Sequence, residues 1–474
     1  MGSTFGGLNT AYTGLVAARS GLDVTGQNIA NVNTEGYTRQ RVTTSSIESP
    51  ARAGLFSAGV VAGQGVSVDA IARLGDQVVD GQVRSAAATA GYQSTRASVI
   101  ATLEASLGEP STTGIASQLT AFWSAWGDVA NNPAESGPAA VLIGQATSLA
   151  ASLSAGHRAV DEQWSGLRTQ ADGLAAELNS AASQVADLNA RIRTNTQLGV
   201  SSNELIDARS VLTERIAAIA GGTVREVGDG TVDVLVGGNA LVSGTSSRTV
   251  AVTGGYSMAT AGAGVSVEWA DRPGQSVALT GGSLAGAVSL LQPAAAGGTG
   301  GVLAEAAASY DALATQLATQ VNAVHRTGVT ADGTSDHDFF ALTPGVSAAR
   351  GLTVLPTGAA TIASGNGTGG AHDSTVALAI ERLGTGTGSP DRAWSAIVAG
   401  IGATSKSESQ QATLTDLAAT SAKNRQLSGS GVSLDEENVN LLSYQHAYQG
   451  AARVMTAIDE MLDTLINGMG RVGR

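Results

Sequence analysis

The stretch Gly431–Arg474 reads GVSLDEENVNLLSYQHAYQGAARVMTAIDEMLDTLINGMGRVGR. Ser433 stands where a helix N-cap would, and Asp435, Glu436 and Glu437 fill the first turn, facing the positive end of the helix dipole. Glu436 follows Ser433 by the spacing of a capping box. Downstream, Leu434, Leu441, Tyr444, Tyr448, Ala451, Met455, Ile458, Leu462 and Leu465 recur in steps of three and four, with one step lost at Glu437. This pattern predicts a coiled-coil seam of about four heptads. At about 1.5 Å per residue it makes a rod of roughly 45–50 Å, ended by Gly468 and Gly470. A helix of that length with one apolar stripe needs a partner.

The other end of the chain offers one. Leu8, Ala11, Leu15, Ala18, Leu22, Thr25, Ile29 and Val32 step by three and four, predicting a second amphipathic helix with smaller side chains. It stops at Asn31-Val32-Asn33-Thr34-Glu35-Gly36-Tyr37, where two Asn and a Gly suit a turn. Thr38–Thr44 alternates and is β-prone, and Gly54–Ala72 reads as short extended pieces.

Between the ends, helical sequence dominates to Gly221. Gln77–Leu107 is one helix, closed by Gly108 and Pro110, and Ile115–Ala130 is a second, carrying Phe122, Trp123 and Trp126 as core. A third runs from about Glu135 to Thr196 without an internal proline beyond its first turn. At about 90 Å it is either a rod or a kinked pair. A shorter helix spans Asn203–Ala220. Residues 222–290 then turn to Gly, Val, Thr and Ser, with alternation at Thr231–Val236 and Thr249–Val252, predicting an antiparallel β insert. Helix returns at Val302–His325, His372–Leu383 and Trp394–Leu427, with short strands and Gly turns over 350–370. The fold class is therefore mainly α with an inserted β domain. The expected division is 1–45, a terminal helix and turn; 46–221, helical rod; 222–292, β-rich outer insert; 293–430, second helical half with a strand and loop segment at 340–371; and 431–474, a helix pairing with 1–45.

Composition narrows the function. With 26 Lys and Arg against 39 Asp and Glu, the 474-residue chain has a formal charge of −13. That acidity argues against a nucleic-acid surface or adhesion to anionic lipid. Cysteine is absent, which removes disulfides, thiolate metal sites and a cysteine nucleophile. No apolar run approaches the roughly 18–20 residues of a membrane span, and the N-terminus lacks the basic and apolar blocks of a Sec-type signal. Aromatic residues are 4% of the chain, so cores must be built mainly from Ala, Leu, Val and Ile, which suits helix seams better than a deep ligand pocket.

Chemistry-bearing constellations are thin. His157, His325, His337, His372 and His446 form no HExxH pair or triad signature, and no Walker A sequence or placed GxGxxG occurs. Asp332, Asp336, His337 and Asp338 suggest a cation loop, but the spacing lacks the EF-hand pattern and its final Glu, so a solvated loop is the better reading. The three acids at 435–437 are read as helix capping rather than a paired-carboxylate site. No catalytic residue, metal or cofactor is expected.

The two terminal stretches together resemble flagellar axial proteins. Gly7-Leu8-Asn9, Gly26–Asn31 and Thr34-Glu35-Gly36-Tyr37-Thr38-Arg39-Gln40 resemble the N-terminal signature shared by rod, hook and hook-associated proteins. Leu434–Glu437, Leu441-Leu442, Tyr444-Gln445, Ala447–Gln449, Ala451–Val454 and Asp459–Leu462 are similar to the FlgK family of hook-associated proteins. Leu205–Arg209, Asn322–Gly328 and Asp338–Phe340 agree with it; the β insert does not align, and the short span from Phe340 to Trp394 suggests a reduced or missing outer domain. The resemblance implies a structural protein, extracellular on the bacterial flagellum, that joins hook to filament. It implies export through the flagellar type III apparatus without a cleaved signal, helped by an export chaperone. The implied partners are further copies of itself, the hook protein and the third hook-associated protein, with neither nucleic acid nor membrane insertion. The expected assembly surface is Leu8, Leu15, Leu22, Ile29, Asn31, Gly36 and Tyr37 with Leu434, Leu441, Tyr444, Tyr448, Met455, Ile458, Leu462 and Leu465. Another axial protein, or a secreted coiled-coil adhesin, is the alternative.

Overall fold

The computed structural model describes residues 4–48, 63–133, 135–261 and 264–469. The first helix, α1 (Thr4–Ala30), turns through Gly36 into β1 (Gln40–Ser46), which pairs antiparallel with β2 (Val66–Arg73). Four helices follow: α2 (Gln77–Ser106), α3 (Ile115–Asn131), α4 (Ser136–Gln197) and α5 (Asn203–Ala220). Asp76 caps α2, its carboxylate accepting from the amides of Val78 and Val79. Gly221, at φ 73°, closes α5 with its N–H on the Ala217 carbonyl.

The long third helix of the sequence reading is a single element. α4 has 62 residues and is about 93 Å long. Its inner stripe, including Leu142, Leu149, Leu153, Trp164 and Leu178, is buried against successive partners along its length. One 18-residue window of α4 has a mean hydropathy of 1.3, enough by length and composition to cross a membrane. That corrects the expectation that no stretch approaches this limit. Alanine-rich composition, added to the buried leucines, produces the value.

The Gly- and Val-rich segment forms β3 (Thr223–Glu226), β4 (Val232–Val236), β5 (Asn239–Ser243) and β6 (Ser246–Ser247) in one antiparallel sheet, then β7 (Val250–Thr253) with β8 (Ser266–Trp269). Val232, Val234, Val236, Val267 and Trp269 share one core with α4. Two asparagines of α4 stand in for neighbouring strands. Asn179 exchanges both amide bonds with Val250 at 2.8 Å, and Asn189 does the same with Val232 at 2.8 and 3.2 Å.

The segment is not all strand. α6 (Gly282–Leu290) is a helix with Leu284, Ala287 and Leu290 buried. Its small residues concealed it: a methyl group at Gly286 would lie 2.7 Å from the Tyr92 carbonyl of α2, so glycine here permits close helix packing rather than a turn.

The second half comprises α7 (Val302–His325), the hairpin of β9 (Phe340–Leu342) and β10 (Leu352–Val354) enclosing the short α8 (Ala348–Gly351), α9 (Thr375–Glu381), α10 (Pro390–Ser430) and α11 (Leu434–Met469). Phe122 of α3 meets Phe339 and Phe340 at centroid distances of 6.0 and 5.8 Å, and Trp126 meets Phe339 at 5.1 Å, so the sequence's concentrated aromatics form core. α10 lies along α2, and α11 leaves this body to pack against α1. At 36 residues α11 is about 54 Å long. Gly468 lies within it rather than ending it, and Gly470 is outside the described residues.

The acidic loop after α7 is internally satisfied. Asp332 Oδ1 accepts from Thr330 and Thr334, which holds its carboxyl near pKa 2, and Asp338 receives two bonds from Arg326 at 2.6 and 2.8 Å. Among the described residues no three metal-ligating side chains converge.

Candidate assembly interface

α1 and α11 run antiparallel in a constant register. A methyl group on Gly7 would lie 3.3 Å from Ile458, one on Gly14 3.9 Å from Ala451, and one on Gly21 2.5 Å from the Tyr444 ring. Each step of seven along α1 is matched by seven back along α11, so three glycines at heptad spacing receive three residues of the opposite seam. The absence of Cβ atoms lets the helices approach closely, and Tyr444 lies directly on the Gly21 backbone.

The next heptad step changes chemistry. Asn28 stands opposite Glu437, and both are about 1% exposed. The Asn28 amide donates to Glu437 Oε2 at 3.0 Å and to the Gln40 carbonyl at 2.9 Å. Its Oδ1 accepts from Tyr37 Oη at 2.9 Å and from the Gln40 amide at 3.0 Å, so its full hydrogen-bonding capacity is used. Arg39 donates from Nε to Glu437 at 2.8 Å and from Nη1 to Glu436 at 2.6 Å, while its backbone N–H reaches Ser430 at the end of α10. Burial, then the charges of Glu204, Asp207 and Glu437, push the Tyr37 phenol up to about 12, which keeps it a donor.

This knot corrects the capping reading for Glu436 and Glu437. Glu436 and Glu437 lie in the first turn of α11, but their carboxylates turn to Arg39, the residue before β1. The step missing from the apolar repeat at Glu437 marks a buried charge, not a skipped contact.

The turn after α1 is tied to the body as well. Gly36, at φ 76°, leaves room for Val211 of α5, which a methyl group would meet at 2.2 Å. The Thr38 amide donates to Asp207 Oδ2 at 2.9 Å, and Arg73 donates to Asp207 Oδ1. Gln40 Nε2 donates to Glu204 at 3.2 Å and its Oε1 accepts from Asn203 at 3.0 Å. Asn31 caps its own helix, donating to the Gln27 carbonyl.

The seam residues read from the sequence divide into two groups. Leu8, Leu15, Leu22 and Ile29 of α1 are half-buried, as are Leu441, Tyr444, Met455 and Leu462 of α11, and Ile458 is buried. Leu434, Tyr448 and Leu465 are exposed. Sequence reasoning missed Gly7, Gly14, Gly21, Asn28, Arg39, Asp207 and Glu437. The heptad spacing of the glycines and the lost seam step were the available signals.

The terminal helix pair, the turn that locks it and the helical rod beside them define a structural protein of the flagellar axis. The flagellar hook-associated protein FlgK helical-domain model matches residues 100–340, the flagella basal body rod protein model 8–38, and the flagellar basal body rod FlgEFG C-terminal model 423–468. Flagellar hook-associated protein 1 of Bacillus subtilis is 30% identical over the full length of both chains. Its counterpart in Escherichia coli is 27% identical over 71% of this chain and 60% of the relative. The solved structure of the flagellar hook junction protein FlgK from Burkholderia pseudomallei shares the fold, with a TM-score of 0.63 and 17% identity over 73% of this chain and all of that one. The chain belongs to the flagellar hook-associated protein 1, or FlgK, family.

Proposed function

We propose that this chain is a non-enzymatic junction subunit joining the flagellar hook to the filament, polymerised through α1 and α11. The observation that carries the reading is that the pair covers only one side of each helix. Tyr12, Val439, Leu442, Val454, Met461 and Ile466 remain at least half exposed on its outer faces. Exposed apolar surface on this scale marks an interaction site, and neighbouring copies repeating the pair would bury it in a non-closing, head-to-tail assembly. The assembly surface is that of Leu8–Tyr37 with Leu434–Leu465. Hook protein contacts one end of the assembly and the third hook-associated protein the other. The chain reaches its extracellular position through the flagellar type III export apparatus, delivered by an export chaperone, without a cleaved signal and without contact to nucleic acid or insertion into a membrane. The absence of cysteine suits passage as an unfolded chain.

Deletion of residues 434–469 tests the reading. The body helices should keep their circular dichroism, while cells carrying the deletion should lose filaments from otherwise intact hooks. Filaments retained at wild-type frequency would overturn it.

A further inference from the structure

The glycine ladder makes the α1–α11 pairing close but not unique. A slip of one heptad, about 10 Å, sets Gly21 opposite Ala451, Gly14 opposite Ile458 and Gly7 opposite Leu465. Each is again a residue without a side chain facing an apolar one, so the ladder tolerates the slipped arrangement. Slipping the other way sets Gly14 opposite Tyr444 and Gly7 opposite Ala451, again compatible. Packing therefore repeats every seven residues.

What does not repeat is the polar knot. Only the observed register places the Glu437 carboxylate between the Asn28 amide at 3.0 Å and Arg39 Nε at 2.8 Å. A slip in one direction carries Glu437 past the end of α1, away from both donors. A slip in the other sets it against Gly21, which has no side-chain donor, about 10 Å along α1 from the Asn28 amide. A buried carboxylate stripped of its partners is among the most costly changes a seam can suffer, and a lone polar residue in a coiled-coil seam is an established way to fix register at some cost in strength.

We infer that Glu437 is the register-determining residue of the terminal helix pair, acting with Asn28 and Arg39. Its role is selection rather than adhesion. Leucine at this position would complete the apolar repeat from Leu434 to Leu441, so the pair would hold together while losing its single register. The inference concerns the isolated chain and stands apart from the junction reading.

The chain's lack of cysteine makes the test direct. Gly14→Cys with Ala451→Cys reports the observed register, since the two Cβ positions lie 3.9 Å apart, within disulfide reach. Gly14→Cys with Ile458→Cys reports the slip that moves Asn28 opposite Tyr444, and Gly14→Cys with Tyr444→Cys reports the opposite slip. Each pair is oxidised in the full-length soluble monomer, with Glu437 intact, with Glu437→Leu and with Glu437→Gln. In the first background the observed cross-link should exceed either slipped one at least tenfold. In Glu437→Leu one or both slipped cross-links should rise to within threefold of the observed one. Glu437→Gln can still accept from Asn28 and should stay close to the parent. Two results would overturn the inference. An unchanged tenfold preference in Glu437→Leu would mean that the Gly431–Ser433 link and the packing set the register. Loss of all three cross-links would mean that Glu437 holds the pair together rather than aligning it.

Discussion

Replacing glycine by alanine within a helix ordinarily stabilises it by roughly 0.5–1 kcal/mol, because glycine has more backbone freedom to lose. The α1 glycines should divide by what faces them. At Gly14 a methyl group would make an ordinary contact of 3.9 Å with Ala451, and at Gly26 it would meet nothing within 4 Å. Gly14→Ala and Gly26→Ala should each stabilise by the intrinsic amount. At Gly21 the methyl group would lie 2.5 to 2.7 Å from three carbons of the flat, stiff Tyr444 ring. Carbon pairs need about 3.5–4.0 Å, so the helices must part by about 1 Å or the ring must leave its seat. Overpacking of this kind costs about 1–3 kcal/mol, more than the helix-propensity gain. Amide hydrogen exchange across α1 reads the result locally: about 5- to 30-fold faster in Gly21→Ala, and slower in the other two. Adding Tyr444→Ala to Gly21→Ala should remove the penalty and reveal a coupling of about 0.5–3 kcal/mol. If Gly21→Ala slows exchange as Gly14→Ala does, Tyr444 does not hold the two helices at close approach and the packing reasoning is refuted.

Asn28→Ala should destabilise the terminal pair by about 2–4 kcal/mol, because it strips partners from Glu437, Tyr37 and both backbone groups of Gln40 in a buried site; exchange should accelerate in α1 and α11 while α4 is unaffected. Tyr37 and Tyr310 are both pushed up to about 12, chiefly by burial. Their contribution to stability is therefore complete below pH 10, the ordinary phenol value, and is lost as pH rises through 12. Ultraviolet titration of the folded chain should show two phenols ionising late, and Tyr37→Phe should remove one of them.

Much of the architecture was legible because it rests on period and punctuation. The helix from Ile115, the one at Asn203–Ala220 and the one at Val302–His325 carry clear seams bounded by Gly, Pro or Asn, and they stand where the pattern put them. α6 was not legible, since the glycines, serines and alanines between its leucines leave no amphipathic contrast to read. The interface was half legible for a related reason. Apolar periodicity identifies which helices pair, but glycines contribute by leaving space, which scores as nothing in a hydrophobic pattern. The knot was harder still. Asn28 and Glu437 are more than 400 positions apart, and each in isolation looks like a polar residue facing water. The conspicuous acids were assigned to the nearest partner sequence could supply, their own helix dipole. Arg39 won because the fold folds the strand after α1 back across the first turn of α11.

The contrast between the two halves of the molecule bears on how such a subunit works. On α4, leucine after leucine is withdrawn completely from water, whereas Ile458 is the one apolar residue described on α11 that is buried. Hydrophobic stabilisation scales with area removed from water, at roughly 25 cal/mol per Å², so the α1–α11 pair holds together by far less than the body does. It should be the first unit to open and the last to close. A pair that weak gains most from neighbours, because any partner that binds only the closed form stabilises it by mass action. On the proposed assembly, tightening the seam within one chain would work against this, since the pair would then close without a neighbour. Placing a charge at Glu437 and glycines along α1 resolves the conflict: the pair is aligned by hydrogen bonds at one end, thin along its length, and left apolar on the outside.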